Sequence, residues 1–132
     1  MEYKPGQKAS FSKTITESDV YGFAGLTGDF NPLHVNEERA KKMQFGERIA
    51  HGMLSASFLS TVIAMYLPGP GTIYMGQEVR FLKPVKFNDT ITAIVEIAEL
   101  LEKGRARLHT YVENQRGEMV VDGYALVKLP EN

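Results

Sequence analysis

The sequence predicts an α+β domain in which a long antiparallel sheet packs against one apolar helix. Three observations predict it. Residues 53–66 are apolar almost all round a helix, and a helix of that kind is buried on most sides. Everything after Gly71 alternates and turns like sheet. No linker, internal repeat or low-complexity tract divides the chain, so residues 1–132 read as one domain.

The elements follow in order. Residues 7–14 alternate enough for a short strand. Thr16-Glu17-Ser18-Asp19 is a helix start, with Thr16 as N-cap and acids in the first turn. Val20, Phe23, Ala24 and Leu26 supply the apolar face of that helix, and Gly28 is placed to end it. Asp29-Phe30-Asn31-Pro32 is turn chemistry, because a residue before proline is pushed out of the helical region. Asn36 caps a second, short helix through Glu37, Glu38, Arg39 and Lys42, and Gly46 closes it. The apolar helix follows His51-Gly52, and Pro68-Gly69-Pro70-Gly71 stops it. Strands are expected over residues 72–82, 90–101, 105–115 and 118–129. Ile91, Ala93, Val95 and Ile97 have period two, and Leu108, Thr110 and Val112 share a face.

Composition removes several classes of function. A chain of 132 residues can bury a real core, roughly two-thirds of its unfolded surface. There is no cysteine, which excludes disulfides and thiolate metal sites. The net charge of -1, with charges interspersed, implies no broad face for nucleic acid. The N-terminal MEYKPGQKAS is polar and unlike a signal peptide. The longest apolar stretch, residues 53–67, is interrupted by four Ser/Thr residues and is too short to span a bilayer. A cytoplasmic protein without a membrane partner is the expectation.

Candidate chemistry concentrates in Gly28-Asp29-Phe30-Asn31-Pro32-Leu33-His34. A carboxylate and an imidazole five residues apart across a turn can hold one water from two sides. The segment is equally a helix stop followed by a solvated histidine. Gly52 opens the apolar helix. A helix start presents unpaired N–H groups that can stabilise an enolate oxygen; a tight entry turn would also call for glycine. His51 reads as structural, a cap or a ligand contact. His109 reads as a sheet-surface residue, and Glu96, Glu99 and Glu113 as solvated. The three histidines are scattered without metal-ligand spacing, so no metal site is expected. Phosphate-binding glycine loops and a Gly-x-Ser-x-Gly elbow are absent.

These segments together resemble the MaoC-like hydratases, in particular the (R)-specific enoyl-coenzyme A hydratases, over essentially the whole chain. The strongest match is Phe23-Ala24-Gly25-Leu26-Thr27-Gly28-Asp29-Phe30-Asn31-Pro32-Leu33-His34, with Ala40 following. Ala50-His51-Gly52-Met53-Leu54 is the second, and Leu67-Pro68-Gly69-Pro70-Gly71 with Thr72-Ile73-Tyr74-Met75-Gly76-Gln77 the third. The C-terminal Val127-Lys128-Leu129-Pro130 fits as well. The resemblance implies a hot-dog fold, with the sheet wrapped around the central helix, and a homodimer whose sheets join edge to edge. It implies reversible hydration of trans-2-enoyl-coenzyme A to the (R)-3-hydroxyacyl thioester. Asp29 and His34 would be catalytic, with the Gly52 N–H on the thioester carbonyl and Asn31 in support. Ser60, Ile63 and Leu126 would line the end of the acyl pocket and favour short chains. No metal or redox cofactor is implied, coenzyme A being part of the substrate. Two rival functions are a hot-dog acyl-coenzyme A thioesterase and a non-catalytic acyl-thioester binding module. The first usually has an acid on or near the central helix, and residues 53–67 contain no Asp or Glu. The second has no use for an acid beside an imidazole.

Overall fold

Alternation along the strands decides which face of the sheet becomes the core. A computed structural model describes residues 2–131. Its elements are β1 (Lys8–Thr14), α1 (Glu17–Thr27), α2 (Pro32–Val35), α3 (Glu37–Ala40), α4 (Gly52–Met65), β2 (Ile73–Phe81), β3 (Thr90–Leu100), β4 (Arg105–Glu113) and β5 (Met119–Lys128). The five strands form one sheet in the order β1-β3-β4-β5-β2, with every neighbouring pair antiparallel. Ile91, Ala93, Val95 and Ile97 of β3 are buried, as are Leu108, Thr110 and Val112 of β4 and Val121, Ala125 and Val127 of β5. This inner face receives α4, which lies chiefly over β3. The architecture is the α+β hot dog expected from the sequence.

The helix buries Leu54, Ser55, Leu59, Val62 and Ile63 against the sheet. Each such apolar side chain contributes about 1.5–3 kcal/mol. Within one chain it is not buried on most sides. Met53, Ser57, Ser60 and Ala64 make an exposed stripe along the other side, with Met53 57% accessible. One sheet covers one face of a helix, and the described residues supply no second layer.

α1 begins with the expected cap. Thr16 accepts from the Asp19 N–H (3.2 Å) while Asp19 accepts from the Thr16 N–H (2.9 Å), a reciprocal capping box. Val20 and Ala24 are buried and Phe23 packs at the margin of the core. Leu26 is 85% exposed, so it does not belong to the buried face. It lies about 200° round the helix from Ala24. Gly28 ends the helix at φ 82°, its N–H on the Ala24 carbonyl (2.8 Å).

The Asn31-Pro32 step does more than turn the chain. Asn31 caps a further one-turn helix, α2, in which Pro32 takes the first position, where its missing N–H costs nothing. Asn36 then caps α3 as expected, though that helix ends at Ala40 rather than continuing to Lys42. β1 joins the β3 edge of the sheet, and β2 forms the other edge.

Two glycines make a contrasting test of this packing. A Cβ at Gly123 would fall on the Glu78 carbonyl oxygen, where β5 meets β2. A Cβ at Gly25, on the exposed side of α1, would meet nothing within 4 Å. Gly123→Ala should lower stability by about 1–3 kcal/mol or more. Gly25→Ala should raise it by about 0.5–1 kcal/mol. Denaturant midpoints of the two variants check both signs.

Candidate active site

The turn after α1 places the two candidate groups, Asp29 and His34, by local hydrogen bonding. The Asp29 N–H donates to Thr27 Oγ1 (3.2 Å), and the Asn31 N–H donates to Asp29 Oδ1 (3.2 Å). Asn31 Oδ1 accepts from the Leu33 N–H (3.1 Å), and the Asn31 carbonyl accepts from the His34 N–H (2.8 Å). Asn31 therefore shapes the loop and the short helix that carries His34. Its side-chain hydrogen bond is to the backbone, not to the imidazole.

His34 is 8% exposed, and its Nδ1 lies 2.7 Å from the Ile49 carbonyl. A carbonyl only accepts, so Nδ1 carries the proton and Nε2 keeps a free lone pair. Burial holds the His34 pKa below the ordinary 6.5, against the opposing pull of the Ile49 carbonyl. Nearby His51 lowers it further, and Asp29 works the other way.

The histidines are not all scattered, as their spacing had implied. His51, just before α4, is 2% exposed, and its ring stacks on His34 with centroids 3.9 Å apart. Its Nε2 donates to the Asp29 main-chain carbonyl (2.9 Å). Asp29, His34 and His51 each bring one N or O atom within 4.8 Å of the others. That separation is within reach of a metal ligand set, but the ring chemistry argues against such use. Each ring already commits one nitrogen to a carbonyl, and the rings are inclined by only 26°. Their in-plane lone pairs then run side by side instead of converging on one ion. The cluster suits a water molecule better.

Gly52 is the first residue of α4, and its N–H is one of the donors that a helix start leaves unpaired. The space a side chain would fill is taken by the Phe81 ring, 2.7 Å from an ideal Cβ. Asp29, His34, His51, Gly52 and Phe81 line one cavity of about 520 Å³, walled by the apolar Leu33, Ile49, Val85, Val120 and Val121. Ser55 and Lys83 line it too. Sequence reading missed Ser55 and Phe81. Ser55 had a signal, standing one turn beyond His51 on the same helix. Phe81 had none, since only strand pairing brings the end of β2 beside Gly52.

The three residues expected at the acyl end are not assembled within the chain. Ile63 is 1% exposed in the core, Ser60 is on the open stripe of α4, and neither lines the cavity. A three-residue step leaves two positions about 60° apart, and here they straddle the margin of the buried face. Leu126 lies on the sheet face away from α4, because β5 turns Ala125 and Val127 inward. His109 lies on that same outer face, paired with Asp122 (2.8 Å) between Tyr111 and Tyr124, a sheet-surface position as expected.

Comparison with known proteins gives a concordant result. The MaoC-like domain family matches residues 2–119. An (R)-specific enoyl-CoA hydratase of Rhodospirillum rubrum is 46% identical, over 98% of this chain and 90% of that protein. The unliganded R-hydratase PhaJ1 of Pseudomonas aeruginosa superposes with a TM-score of 0.95 at 49% identity, covering 99% of this chain and 84% of that one. The (R)-hydratase of Aeromonas caviae involved in PHA biosynthesis superposes with a TM-score of 0.93 at 43% identity, covering 97% and 98%.

Burial of His34 makes stability depend on pH. Its folded pKa lies below the unfolded 6.5, so the unfolded chain takes up the proton first. The stability this group contributes is complete above the unfolded value and is lost as pH falls towards the lowered one. Denaturant midpoints measured between about pH 8 and pH 5 should therefore fall less steeply in His34→Gln than in the parent. Parallel curves would mean that His34 titrates as an exposed histidine.

Proposed function

The chain belongs to the MaoC-like domain family, and from that premise we infer that it hydrates trans-2-enoyl-coenzyme A to (R)-3-hydroxyacyl-coenzyme A and catalyses the reverse dehydration. The observation that carries this reading is the Asp29 carboxylate and a His34 ring nitrogen within 4.8 Å, on the wall of the cavity that the start of α4 also lines.

The Gly52 N–H donates to the thioester carbonyl oxygen. Charge develops on that oxygen as the nucleophile adds, and one such donor is worth about 100- to 1,000-fold in rate. A water held between Asp29 and His34 attacks the β carbon. Its oxygen forms the new C–O bond while the π electrons move towards the α carbon and the carbonyl. Asp29 takes the water's proton. His34, with its bare Nε2, orients the water and then takes that same proton from Asp29 and passes it to the α carbon, leaving the carboxylate and the ring as they began, so the net change is addition of one water. No metal or redox cofactor enters, because the thioester itself acidifies the α carbon.

The cavity, at about 520 Å³ with Phe81 at its side, favours a short acyl chain. The molecule works as a homodimer in the cytoplasm. The open stripe of α4 and the edge strand β2 are the surfaces a second copy would cover. Among the described residues no helix is long and apolar enough to cross a membrane.

Asp29→Asn and His34→Ala should each lower turnover of crotonyl-coenzyme A by about 100- to 10,000-fold with native melting behaviour. Loss of the enone absorbance reads the reaction. Release of free thiol instead would make the protein a thioesterase, and neither change would leave a binding module. Light scattering at micromolar concentration should give twice the chain mass; an active monomer would contradict the dimer.

A further inference from the structure

We propose that His51 is a positioning residue for this reaction: as the Nε2–H tautomer it holds the Asp29 main chain and the His34 ring in one arrangement, and the Ser55 hydroxyl closes off its Nδ1. The proposal rests on the hydratase reading above.

Asp29 sits on an exposed turn, where a carboxylate would otherwise have freedom to wander. His51 grips that turn through the Asp29 carbonyl (2.9 Å) and lies face to face with His34 (3.9 Å between centroids). The Phe23 ring of α1 packs against it at 5.0 Å. The same residue starts α4, its carbonyl accepting from the Leu54 and Ser55 N–H groups (3.1 and 3.4 Å). The next residue is Gly52. One side chain thus ties the water-holding pair to the helix start that receives the carbonyl oxygen.

Capping does not explain a histidine here. The His51 side chain makes no cap hydrogen bond to α4, and Ser, Thr, Asp or Asn would cap better. The ring is spent on the turn instead.

His51 Nδ1 and Ser55 Oγ are the two buried side-chain polar atoms without a partner among the described residues. Buried polar atoms are rarely left so. With the proton on Nε2, Nδ1 is a bare acceptor, and a serine hydroxyl is a rotatable donor. The two residues are four apart and line the same cavity. Their needs are complementary, and one water between them or a change of the Ser55 side-chain rotamer would meet both. A donor at Nδ1 also keeps the proton on Nε2, where it reaches the Asp29 carbonyl.

The charged and titratable groups facing His34 are Asp29 from the turn and His51 from the start of α4. His51 depresses the proton affinity of His34. Replacing it by a side chain that takes up no proton should therefore move the acid limb of kcat/KM to higher pH, which a merely structural role would not do.

The test compares parent, His51→Phe, His51→Gln and Ser55→Ala on crotonyl-coenzyme A. His51→Phe keeps a ring on His34 but loses the N–H; His51→Gln keeps a donor. We expect kcat to fall up to about 100-fold in His51→Phe with KM little changed, partial recovery in His51→Gln, a smaller fall in Ser55→Ala, and an acid limb raised in both His51 variants. Folded His51→Phe with parental kcat and an unmoved limb overturns the proposal. Equal impairment of the two His51 variants overturns the role of the donor, and parental kinetics in Ser55→Ala overturn the role of the hydroxyl. If His51→Phe does not fold, His51→Gln decides by its limb: raised supports the proposal, unmoved overturns it. An inactive parent would instead sink the hydratase reading.

Discussion

Burial of Leu54, Leu59, Val62 and Ile63 against the inner faces of β3 and β4 sets the axis of α4, and the reacting groups take their places from that axis. The start of the helix then falls beside the end of β2, where Phe81 fills the space a side chain at residue 52 would need. The Ala50 N–H on the Val85 carbonyl (2.8 Å) and the Ile49 N–H on the Leu33 carbonyl (3.2 Å) stitch the approach to α4 between the sheet and α2. The Ile49 carbonyl in turn receives His34 Nδ1. Core packing and site geometry are therefore one constraint: a shift of α4 would move Gly52, His51 and, through Ile49, His34 together.

Arg48 secures the outer side of the same region. Its guanidinium pairs with Glu17 of α1 (2.7 Å), donates to the Tyr21 hydroxyl (2.9 Å) and lies over the Phe87 ring (4.8 Å). Tyr21 donates onward to the Val35 carbonyl at the end of α2 (2.7 Å). Exposed ion pairs are individually weak, but this one is networked. It ties α1 and α2 to the segment that precedes the central helix, on the opposite side from the imidazole stack.

The site itself sets a buried imidazole against an exposed carboxylate. Burial together with a second imidazole favours the neutral form of His34, which leaves one ring nitrogen with a lone pair. The buried ring and the exposed carboxylate lie within 4.8 Å of one another at the polar atoms they offer.

Local chemistry was legible in the sequence wherever a few neighbouring residues decide it. The Thr16 cap, the Gly28 stop, the Asn36 cap and the period-two faces of β3 and β4 depend on side chains within a turn or a strand, and they stand as read. Asp29 and His34 belong to the same class, for one turn carries both. Where the reading failed, the deciding partner was distant in sequence. Periodicity shows how apolar a helix is, but not that only one sheet is available to cover it, so the open side of α4 was invisible. Spacing could not bring His51 onto His34, because the meeting runs through the docking of α4. Strand parity and helix rotation, which set Leu126 on the outer face of the sheet and Ile63 in the core, were likewise invisible to spacing. The sequence by itself determined the elements, their caps and the turn that carries Asp29 and His34. Only tertiary packing decided which faces meet, since that depends on burying the most apolar area among surfaces that no local window contains.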